Sequence, residues 1–250
     1  MARPALILAG YGVGDSLQLT VESQRAMARA SRVFSIGLPP NLRALLRAQK
    51  VSCVDLAGCF AGARAFGEAY LDIADTVLRH AESDPPVLLL SEGNPLLSNA
   101  LNRFLLMKAK ERKIATQVLA AVSPIDSLIC QVGLDVGTFG LQVFDARRLY
   151  SREMPVQPSV PLLLLQVAGV AQAETSGAMD PQPGAYRPLT EYLARFYPPT
   201  HVVVHLANSS DPQATAVTAA PLDAFDSLVP RFGPASTLFV DLLRQPAAAT

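Results

Sequence analysis

The residues best suited to bind a ligand near the start of the chain are glycines at alternate positions. Gly10, Gly12 and Gly14 follow the apolar run 6–9, and Asp15 comes directly after them. A buried strand that ends in spaced glycines allows a backbone to approach a ligand without an intervening side chain. The pattern predicts a glycine loop that binds a ligand, and a tight strand-to-helix turn without a ligand is the alternative.

This loop differs from the dinucleotide-binding fingerprint G-x-G-x-x-G. Asp15 stands at the position of the last glycine. The fingerprint also requires an acidic residue at the end of the second strand, where it binds a ribose hydroxyl. The predicted second strand, residues 32–36, is followed by Gly37, Leu38 and two prolines. The sequence therefore predicts a ligand other than a dinucleotide.

Four further loops follow predicted strands and carry small or polar residues. Because ligands bind beyond the carboxyl ends of the strands in sheets of this kind, we expect these loops to share one ligand. The candidate residues beside the first three glycines are Gly93, Asn94, Pro95, Leu96 and Ser98 after the fourth strand, Ser123 after the fifth, and Val167, Ala168, Leu206 and Ala207 after strands of the second half. Each loop alone is weak evidence, but their order and spacing together are more specific.

Four polar side chains have a structural interpretation beside a functional one. Tyr70 is either a half-buried helix tyrosine or a base, and His205 lies in an apolar strand, where a core histidine is more common than a catalyst. Asp126 either braces the helix that follows Ser123 or takes part in catalysis. Asp15 can cap the turn that follows it through its carboxylate.

The elements that must position these residues alternate between strand and helix in the first half. Strands are predicted over 5–9, 32–36, 51–56, 87–90 and 115–119, and helices over 20–30, 41–48, 63–81 and 97–112. This alternation predicts a parallel sheet with helices on both faces. In the helix over 63–81 the apolar residues recur at three and four positions, which we interpret as core packing.

The second half is organised differently. Residues 151–161 contain three prolines and are interpreted as a linker. Strands are predicted over 162–167, 201–206, 215–219 and 237–240, with one clear helix over 188–196. We therefore predict an α/β fold of two lobes, 1–150 and 151–250, each a sheet flanked by helices, with the site in the cleft between them.

The composition excludes several classes of protein. The chain has 250 residues, of which 50% are hydrophobic, enough for one large domain or two small ones. Its 21 basic and 21 acidic residues give no net charge and form no basic stripe, so we expect neither a nucleic-acid nor a membrane partner. We expect no signal peptide. Cys53, Cys59 and Cys130 lack metal-ligand spacing, so we expect no metal site and interpret them as thiols of a reducing cytoplasm.

These motifs resemble those of the tetrapyrrole methylase superfamily, the class III methyltransferases that use S-adenosylmethionine. The resemblance rests on G-x-G-x-G-D at 10–15, G-N-P at 93–95 and a strand-loop-helix at 121–123, and it covers nearly the whole chain. The family usually has Gly-Asp-Pro or Gly-His-Pro at 93–95, and Pro-Gly at 120–121. The resemblance implies a homodimer whose N-terminal lobe carries donor-binding loops and whose C-terminal lobe completes the S-adenosylmethionine site.

More narrowly, the chain resembles the borosin branch. Residues 123–128, 133–137 and 140–146 are similar to its S-x-x-D-x-L, D-L-G-x-D-P-G and H-G-x-Q-x-x-E-A segments, and residues 192–207 are similar to its Y-L…F-Y-P-x-x-H-x-V-V-H-Y-x-A segment. Borosin enzymes N-methylate backbone amides of a ribosomally made peptide, in many cases their own C-terminal tail. Because this chain stops soon after its last predicted strand, we expect the peptide to come from a separate chain.

The same resemblance identifies candidate catalytic residues and a departure from the pattern. Borosin catalytic domains carry a tyrosine, an arginine six residues later and a tyrosine four after that. Tyr70 matches the last position, whereas Phe60 and Phe66 stand at the first two, and Arg64 lies near. Either Arg64 replaces the arginine through a shifted helix start, or the chemistry differs. An amide nitrogen needs a base and a cation for its imidate oxygen, and phenylalanine supplies neither.

Three functions follow from the resemblance. The preferred one is N-methylation of a peptide supplied in trans, and the second is methylation of a small molecule such as a tetrapyrrole precursor, in an apolar pocket lined by Phe60, Phe66 and Tyr70. The third is a donor-binding subunit that has lost catalysis. In the first two, S-adenosylmethionine is the cofactor and S-adenosylhomocysteine the product, and the backbone at 167–168 and 206–207, with Gln142, would bind the adenine.

Overall fold

A computed structural model of the chain describes residues 3–15, 18–61, 66–171, 184–207 and 217–243, with the backbone alone at Phe66. The chain forms two compact units, Met1–Ser127 and Leu128–Thr250. Each unit contains one five-stranded sheet. The predicted α/β class with two sheets and flanking helices is confirmed.

The sheet of the first unit is parallel throughout. Its strands are β1 (Leu6–Gly10), β2 (Arg32–Ser35), β3 (Cys53–Asp55), β4 (Val87–Ser91) and β5 (Thr116–Val118). They lie in the order β3-β2-β4-β1-β5, and all their pairings are parallel. Every residue of β1 and β4 is buried, as continuous apolar runs predict for strands covered on both faces.

Helices cover both faces of this sheet. They are α1 (Val21–Arg29), α2 (Pro40–Ala48), α3 (Gly58–Ala61), α4 (Phe66–Ser83), α5 (Ala100–Glu111) and α6 (Pro124–Val132), the last of which contains the boundary between the units. The apolar stripe of α4 packs with α5 in one core cluster, and residues of α1 and α2 lie in a second cluster. The interpretation of the α4 stripe as core packing is confirmed.

Local side chains determine where two of these helices begin. The Thr20 hydroxyl accepts a hydrogen bond of 3.0 Å from the Ser23 amide at the start of α1. The Asn99 side-chain oxygen accepts one of 2.9 Å from the Asn102 amide at the start of α5. Such caps satisfy amides that have no partner within the helix. The predicted helix over 63–81 is described from Phe66 to Ser83, and residues 62–65 lie outside the described part.

The sheet of the second unit is mixed. Its strands are β6 (Gln142–Asp145), β7 (Leu162–Leu165), β8 (Val202–Ala207), β9 (Val217–Pro221) and β10 (Ser236–Val240), in the order β6-β7-β10-β8-β9. The pair β6–β7 is parallel and the other neighbours are antiparallel. The α-helices described here are α7 (Val136–Phe139), α8 (Ala146–Ser151) and α9 (Arg187–Leu193). Residues of α8 and α9 pack in a core that includes the fully buried Tyr186.

The second unit begins earlier than the boundary predicted near residues 150–160. The reason is β6, a strand that the hydrophobic pattern did not indicate. Only Val143 and Phe144 of β6 are apolar, and each residue of this edge strand is half-buried. The strand nevertheless pairs in register with β7, from Gln142 with Leu162 to Asp145 with Leu165. Residues 142–145 therefore belong to the second sheet.

None of the described helices combines the length and apolar character that crossing a membrane requires.

Candidate functional site

Three loops of the first unit meet at the carboxyl ends of β1, β4 and β5. A Cβ atom added to Gly10, at the end of β1, would lie 1.9 Å from the Gly93 carbonyl oxygen and 2.6 Å from the Cβ of Ala121. Atoms this close leave no room for any side chain at residue 10. The structure therefore brings together the loops that the sequence analysis selected at 10–15, 93–95 and 121–123.

Hydrogen bonds fasten the glycine loop to the loop after β4. The Tyr11 amide donates to the Ser91 carbonyl oxygen at 3.1 Å, and the Gly93 amide donates to the Gly12 carbonyl oxygen at 2.8 Å. Gly12 and Gly93 form an isolated antiparallel bridge. Two residues after Gly12, the Gly14 amide donates to the Glu92 carboxylate at 2.8 Å. The two loops therefore form one hydrogen-bonded unit.

The glycines make close contacts within the protein, and their contact with a ligand stays a prediction. Gly12 has a φ of +93°, and a Cβ there would lie 2.5 Å from the Cβ of Gln18. A Cβ on Gly93 would lie 3.2 Å from Cδ of Pro124. At Gly10 and Gly12 the missing side chain makes space for neighbouring loop atoms. Close packing of the loops is thus one physical reason for glycine at these two positions.

The segment 93–98 is held from inside the protein by α5. Asn102 is fully buried, and its side-chain nitrogen Nδ2 donates to the Ser91 hydroxyl at 3.0 Å and to the Pro95 carbonyl oxygen at 2.9 Å. Asn94 uses its side-chain oxygen to accept a 3.0 Å bond from the Leu96 amide. Ser98 has a φ of +49°, which directs the chain into α5. These bonds fix the backbone of the loop that follows β4.

Ser123 and Asp126 form a cap at the start of α6. The amide and the hydroxyl of Ser123 each donate to the Asp126 carboxylate at 2.6 Å. The Asp126 amide points back to the Ser123 hydroxyl at 3.4 Å. The bracing role considered for Asp126 is confirmed. The Ser123 hydroxyl proton is committed to this cap, so a contact between Ser123 and a ligand stays a prediction for its remaining atoms.

Two aspartates near the glycine loop are also bonded to backbone amides. The Asp15 carboxylate accepts from the amides of Asn41 and Leu42 at 2.7 and 3.1 Å, so it caps α2, and a cap on the turn at residues 16–17 lies outside the described residues. Pro39, at the helix cap position, has no side chain that can do this, which is why a distant carboxylate serves. Asp55 accepts from the amides of Gly37 and Ala57, each at 3.0 Å.

These carboxylates give the glycine loop a negative surrounding. Tyr11 is buried in the loop, and the pKa of its phenol is raised by burial first and then by the charges of Glu92, Asp15 and Asp55. A group that is made harder to ionise by three carboxylates reports a negative potential at its position. These three carboxylates therefore favour positive charge near the Tyr11 phenol.

The candidate catalytic residues are only partly within the described chain. Tyr70 on α4 is half-buried, and burial raises the pKa of its phenol. Its ring centroid lies 6.1 Å from that of Phe60 on α3 and 6.3 Å from that of Phe104 on α5. Arg64 and the side chain of Phe66 lie outside the described residues. The rings of Tyr70 and Phe60 thus lie next to each other, and the roles of Arg64 and Phe66 stay predictions.

Gln142 in the second unit is engaged with a loop of its own unit. Its side-chain nitrogen donates to the carbonyl oxygens of Gln157 and Val160, each at 2.9 Å, and its oxygen accepts from the Gln157 amide at 2.8 Å. Both ends of the amide therefore hold the segment 157–160. The structure explains this residue by loop support, and direct contact with an adenine stays a prediction.

The other candidates of the second unit lie at one edge of its sheet. β7 and β8 are both antiparallel to β10, which lies between them, so their carboxyl ends point the same way. Val167 and Ala168 follow β7 in a buried turn, and Leu206 and Ala207 end β8. One strand separates the two segments, a spacing of about 10 Å. The two segments therefore lie at the same edge of this sheet, and their contact with a ligand stays a prediction.

His205 is a buried core residue of β8. Its Nε2 lies 2.8 Å from the Ser236 hydroxyl, which also accepts a 2.8 Å bond from the Gly233 amide. Burial and, to a smaller extent, the charge of Arg231 lower the pKa of its imidazole. The residue is therefore neutral at neutral pH. Its bonds support the structural interpretation made from the sequence.

Sequence reasoning missed Glu92 and Asn102. Glu92 stands directly before the G-N-P motif, and a charged residue beside a predicted ligand loop was an available signal. Asn102 gave a weaker one, because a polar residue on the apolar side of a helix becomes informative only once its partners are known. In the described part of the chain, no group of three or more His, Cys, Asp or Glu side chains could hold a metal ion.

The sequence matches a known family over most of its length. Residues 5–223 match the family described as Tetrapyrrole (Corrin/Porphyrin) Methylases. The chain therefore belongs to the tetrapyrrole methylase family. The resemblance stated from the glycine loop, the G-N-P motif and the following loop is confirmed.

Curated relatives of the chain carry names that combine a methyltransferase with a ribosomally synthesized peptide precursor. The methyltransferase/ribosomally synthesized cyclic peptide dendrothelin A precursor of Dendrothele bispora is 26% identical over 86% of this chain and 51% of its own length. A type III borosin cyclic peptide precursor of Anomoporia bombycina is 25% identical over 85% of this chain and 25% of its own length. The chain thus spans about half or less of the relatives that it matches.

Solved structures confirm the fold. The crystal structure of uroporphyrin-III-C-methyltransferase from Thermus thermophilus has a TM-score of 0.67 with 18% sequence identity, over 95% of this chain and 94% of that chain. The same protein complexed with S-adenosyl homocysteine has a TM-score of 0.63 with 17% identity, over 94% and 91%.

Proposed function

We propose that this chain is an S-adenosylmethionine-dependent methyltransferase that N-methylates the backbone of a ribosomal peptide. The observation that carries the proposal is the convergence of the loops after β1, β4 and β5 at one negatively charged edge of a parallel sheet. Membership of the methylase family and the similarity to borosin precursors support it. S-adenosylmethionine, when bound, supplies a methyl group that its sulfonium already activates.

The chain's own residues fit this donor. A sulfonium is a cation, and the carboxylates around Tyr11 favour positive charge at the carboxyl edge of the first sheet. The rigid backbone of the fastened loops offers amide and carbonyl groups at fixed positions, which orient a bound molecule. The donor-binding residues that we propose are Gly10, Gly12, Gly14, Gly93, Asn94, Pro95, Leu96, Ser98, Ser123, Val167, Ala168, Leu206 and Ala207, with Gln142 acting through the loop that it holds.

The acceptor side of the site is proposed to lie at Tyr70. Methylation of an amide nitrogen requires removal of its proton and stabilisation of charge on its oxygen. Because burial raises the pKa of Tyr70, its neutral phenol prevails at neutral pH and can donate a hydrogen bond to that oxygen. Phe60 contributes an aromatic wall, and Arg64 is the candidate cation, with Phe66 in the position at which borosins have arginine.

A small-molecule acceptor is the second candidate. The aromatic cluster of Phe60, Tyr70 and Phe104 favours it, since this cluster presents apolar rings where a planar or apolar substrate could stack. The two candidates share the donor and differ in the acceptor alone. A donor-binding subunit without catalysis is the third outcome that the experiment must separate.

Titration calorimetry of the purified chain tests the donor. We expect S-adenosylmethionine and S-adenosylhomocysteine to bind and NAD not to bind. Mass spectrometry after incubation with S-adenosylmethionine and a candidate peptide, offered as a separate chain, then tests for a gain of one methyl group on a backbone amide. Absence of donor binding contradicts the methyltransferase proposal, whereas donor binding with methylation of a tetrapyrrole precursor alone supports the second candidate.

A tyrosine variant tests the acceptor side. We expect Tyr70→Phe to retain donor binding and to lose methyl transfer by about a hundredfold, a typical contribution of a group that handles a proton or its charge. Tyr150→Phe, on α8 of the second unit, is the matched control and should retain activity. Equal activity of both variants would remove Tyr70 from the mechanism.

We also propose a homodimer located in the cytoplasm. The free thiols of Cys53, Cys59 and Cys130 support a reducing compartment, and the resemblance to the superfamily supports the dimer. Light scattering of the purified chain tests the dimer, and a monomer at micromolar concentration would contradict it. Fractionation of the producing cells, with the chain detected by antibody, tests the location.

A further inference from the structure

Glu92 is the one acidic side chain bonded directly to the glycine loop among the described residues. Its carboxylate accepts the Gly14 amide at 2.8 Å, immediately after the backbone bridge between Gly12 and Gly93. Next to the backbone hydrogen bond between Gly93 and Gly12, the Glu92 side chain thus supplies a further hydrogen bond between the same two loops. Gly14 has a φ of +57°, so its amide direction depends on a backbone conformation that this bond helps to hold.

The charge of Glu92 is not neutralised within the described part of the chain. Its carboxylate takes part in none of the ion pairs there, which involve Asp75, Glu82, Glu111, Glu153 and Glu191 as the acids. Asp15 and Asp55 differ, since each accepts two backbone amides and serves a helix cap or a turn. Glu92 accepts one amide, so part of its charge is available to a ligand.

We propose that Glu92 is a positioning and specificity residue of the donor site, which fastens the glycine loop through Gly14 and favours the cationic donor over its neutral product. The inference rests on the proposed function. S-adenosylmethionine carries a sulfonium cation that S-adenosylhomocysteine lacks, while the two share every other charged group. A carboxylate beside the donor loop therefore attracts the donor more strongly than the product.

This selection has a use in turnover. After transfer the methyl cation equivalent leaves with the acceptor, the sulfur becomes a neutral thioether, and the proton of the acceptor is released. The attraction of the carboxylate for the sulfonium ends at that moment. Product binding is then weaker than donor binding by the contribution of this charge, which eases exchange of product for new donor.

Two substitutions separate the two roles. Glu92→Gln keeps an oxygen that can accept the Gly14 amide and removes the charge, whereas Glu92→Ala removes both. We expect Glu92→Gln to weaken S-adenosylmethionine binding about threefold, as for one charge pair at several ångströms in a solvated site, and to leave S-adenosylhomocysteine binding unchanged. We expect Glu92→Ala to weaken both ligands by about tenfold, since it also frees the loop.

Titration calorimetry with both ligands at low and high salt makes the measurement on the whole chain. Glu22→Gln is the matched control, because Glu22 lies in the first turn of α1 and has no bond to the glycine loop. Melting temperatures of all variants verify that they are folded. The decisive readout is the ratio of the two affinities, which a purely structural role would not change.

The outcomes are distinct. The proposal is supported if the ratio of S-adenosylmethionine affinity to S-adenosylhomocysteine affinity is lower in Glu92→Gln than in the wild-type chain. High salt should also lower this ratio in the wild-type chain. Equal weakening of both ligands by Glu92→Gln overturns the selection role, and wild-type binding by both variants overturns the proposal entirely. If the wild-type chain binds neither ligand, the proposed function fails, and that result is recognised before any variant is compared.

Discussion

The two sheets place their loops differently. In the first unit the described strands are parallel, so the loops after β1, β4 and β5 leave from one edge and touch at Gly10, Gly93 and Ala121. In the second unit β10 runs antiparallel between β7 and β8, so the segments after β7 and β8 share an edge but are one strand apart. Parallel pairing thus packs distant loops against each other, and antiparallel pairing spaces them.

The means of holding these loops differ in the same way. In the first unit, side chains and backbone of one loop bond to another loop, as with Glu92 and Gly14. In the second unit, Gln142 on an edge strand bonds to the connecting segment 157–160 of the same unit. The comparison teaches that a motif of small residues is a packing requirement where loops touch, and is not one where a strand separates them.

Substitution of Gly10 is expected to have the largest effect. Gly10→Ala places a Cβ 1.9 Å from the Gly93 carbonyl oxygen, which requires the loops after β1 and β4 to separate. We expect a loss of about 3 kcal/mol in the free energy of unfolding. Chemical denaturation measures it. Gly58→Ala is the control, since its Cβ would meet no atom within 4 Å. Equal stability of the two variants would contradict the close contact of the loops.

Asn102→Ala is expected to have the second largest effect on stability. The substitution leaves the Pro95 carbonyl oxygen and the Ser91 hydroxyl without the donor that fastens them. We expect a loss of about 2 kcal/mol in the free energy of unfolding. Denaturant titration with Asn41→Ala as control tests this, because the Asn41 side chain donates one exposed bond of 3.1 Å. A control as damaging as Asn102→Ala would show that burial of the amide is unimportant.

Gln142→Ala probes the second unit. It removes three bonds to the segment 157–160 on a half-buried edge strand, so we expect a loss of about 1 kcal/mol in the free energy of unfolding. Gln157→Ala is the matched control, because its backbone bonds to Gln142 remain. Denaturant titration compares them. If Gln142→Ala costs as much as Asn102→Ala, the distinction between the two units in loop support is wrong.

The smallest effect concerns pH and His205. Burial lowers the pKa of this imidazole below its ordinary 6.5, so the unfolded chain binds a proton before the folded chain does. Stability from this residue is therefore present at neutral pH and is lost as pH falls below about 6.5. Melting temperatures between about pH 7.5 and pH 5.5 should fall less steeply for His205→Gln than for the wild-type chain. Parallel profiles would contradict a buried neutral imidazole.

The strongly apolar strands of both units were predictable from the sequence. β1 and β4 are uninterrupted apolar runs, and their burial on both faces follows from composition alone. β6 was not predictable, because an edge strand with polar ends is stabilised by pairing with β7, which no local pattern reveals. Local pattern thus located the apolar strands and missed this short strand with polar ends.

Some features of the candidate site were also predictable from the sequence, and others were not. The three loops of the first unit were predicted because parallel strands necessarily deliver them to one edge. The roles of Asn102 and Glu92 were not, since each depends on which backbone atoms of a distant loop come within hydrogen-bonding distance. The close contacts of Gly10 with Gly93 and of Gly12 with Gln18 were not predictable either, because spacing alone does not distinguish contact with a ligand from contact with a neighbouring loop.

The position of β4 determines the order in which this unit can assemble. β4 lies between β1 and β2, and these two strands do not pair with each other. During synthesis β1, β2 and β3 therefore emerge before β4, the strand that lies between β1 and β2. The edges of β1 and β2 that face β4 stay unpaired until residues 87–91 have been made. Loop closure over such a separation is slow compared with local helix formation. The bridge between Gly12 and Gly93 therefore cannot form until β4 has been synthesised.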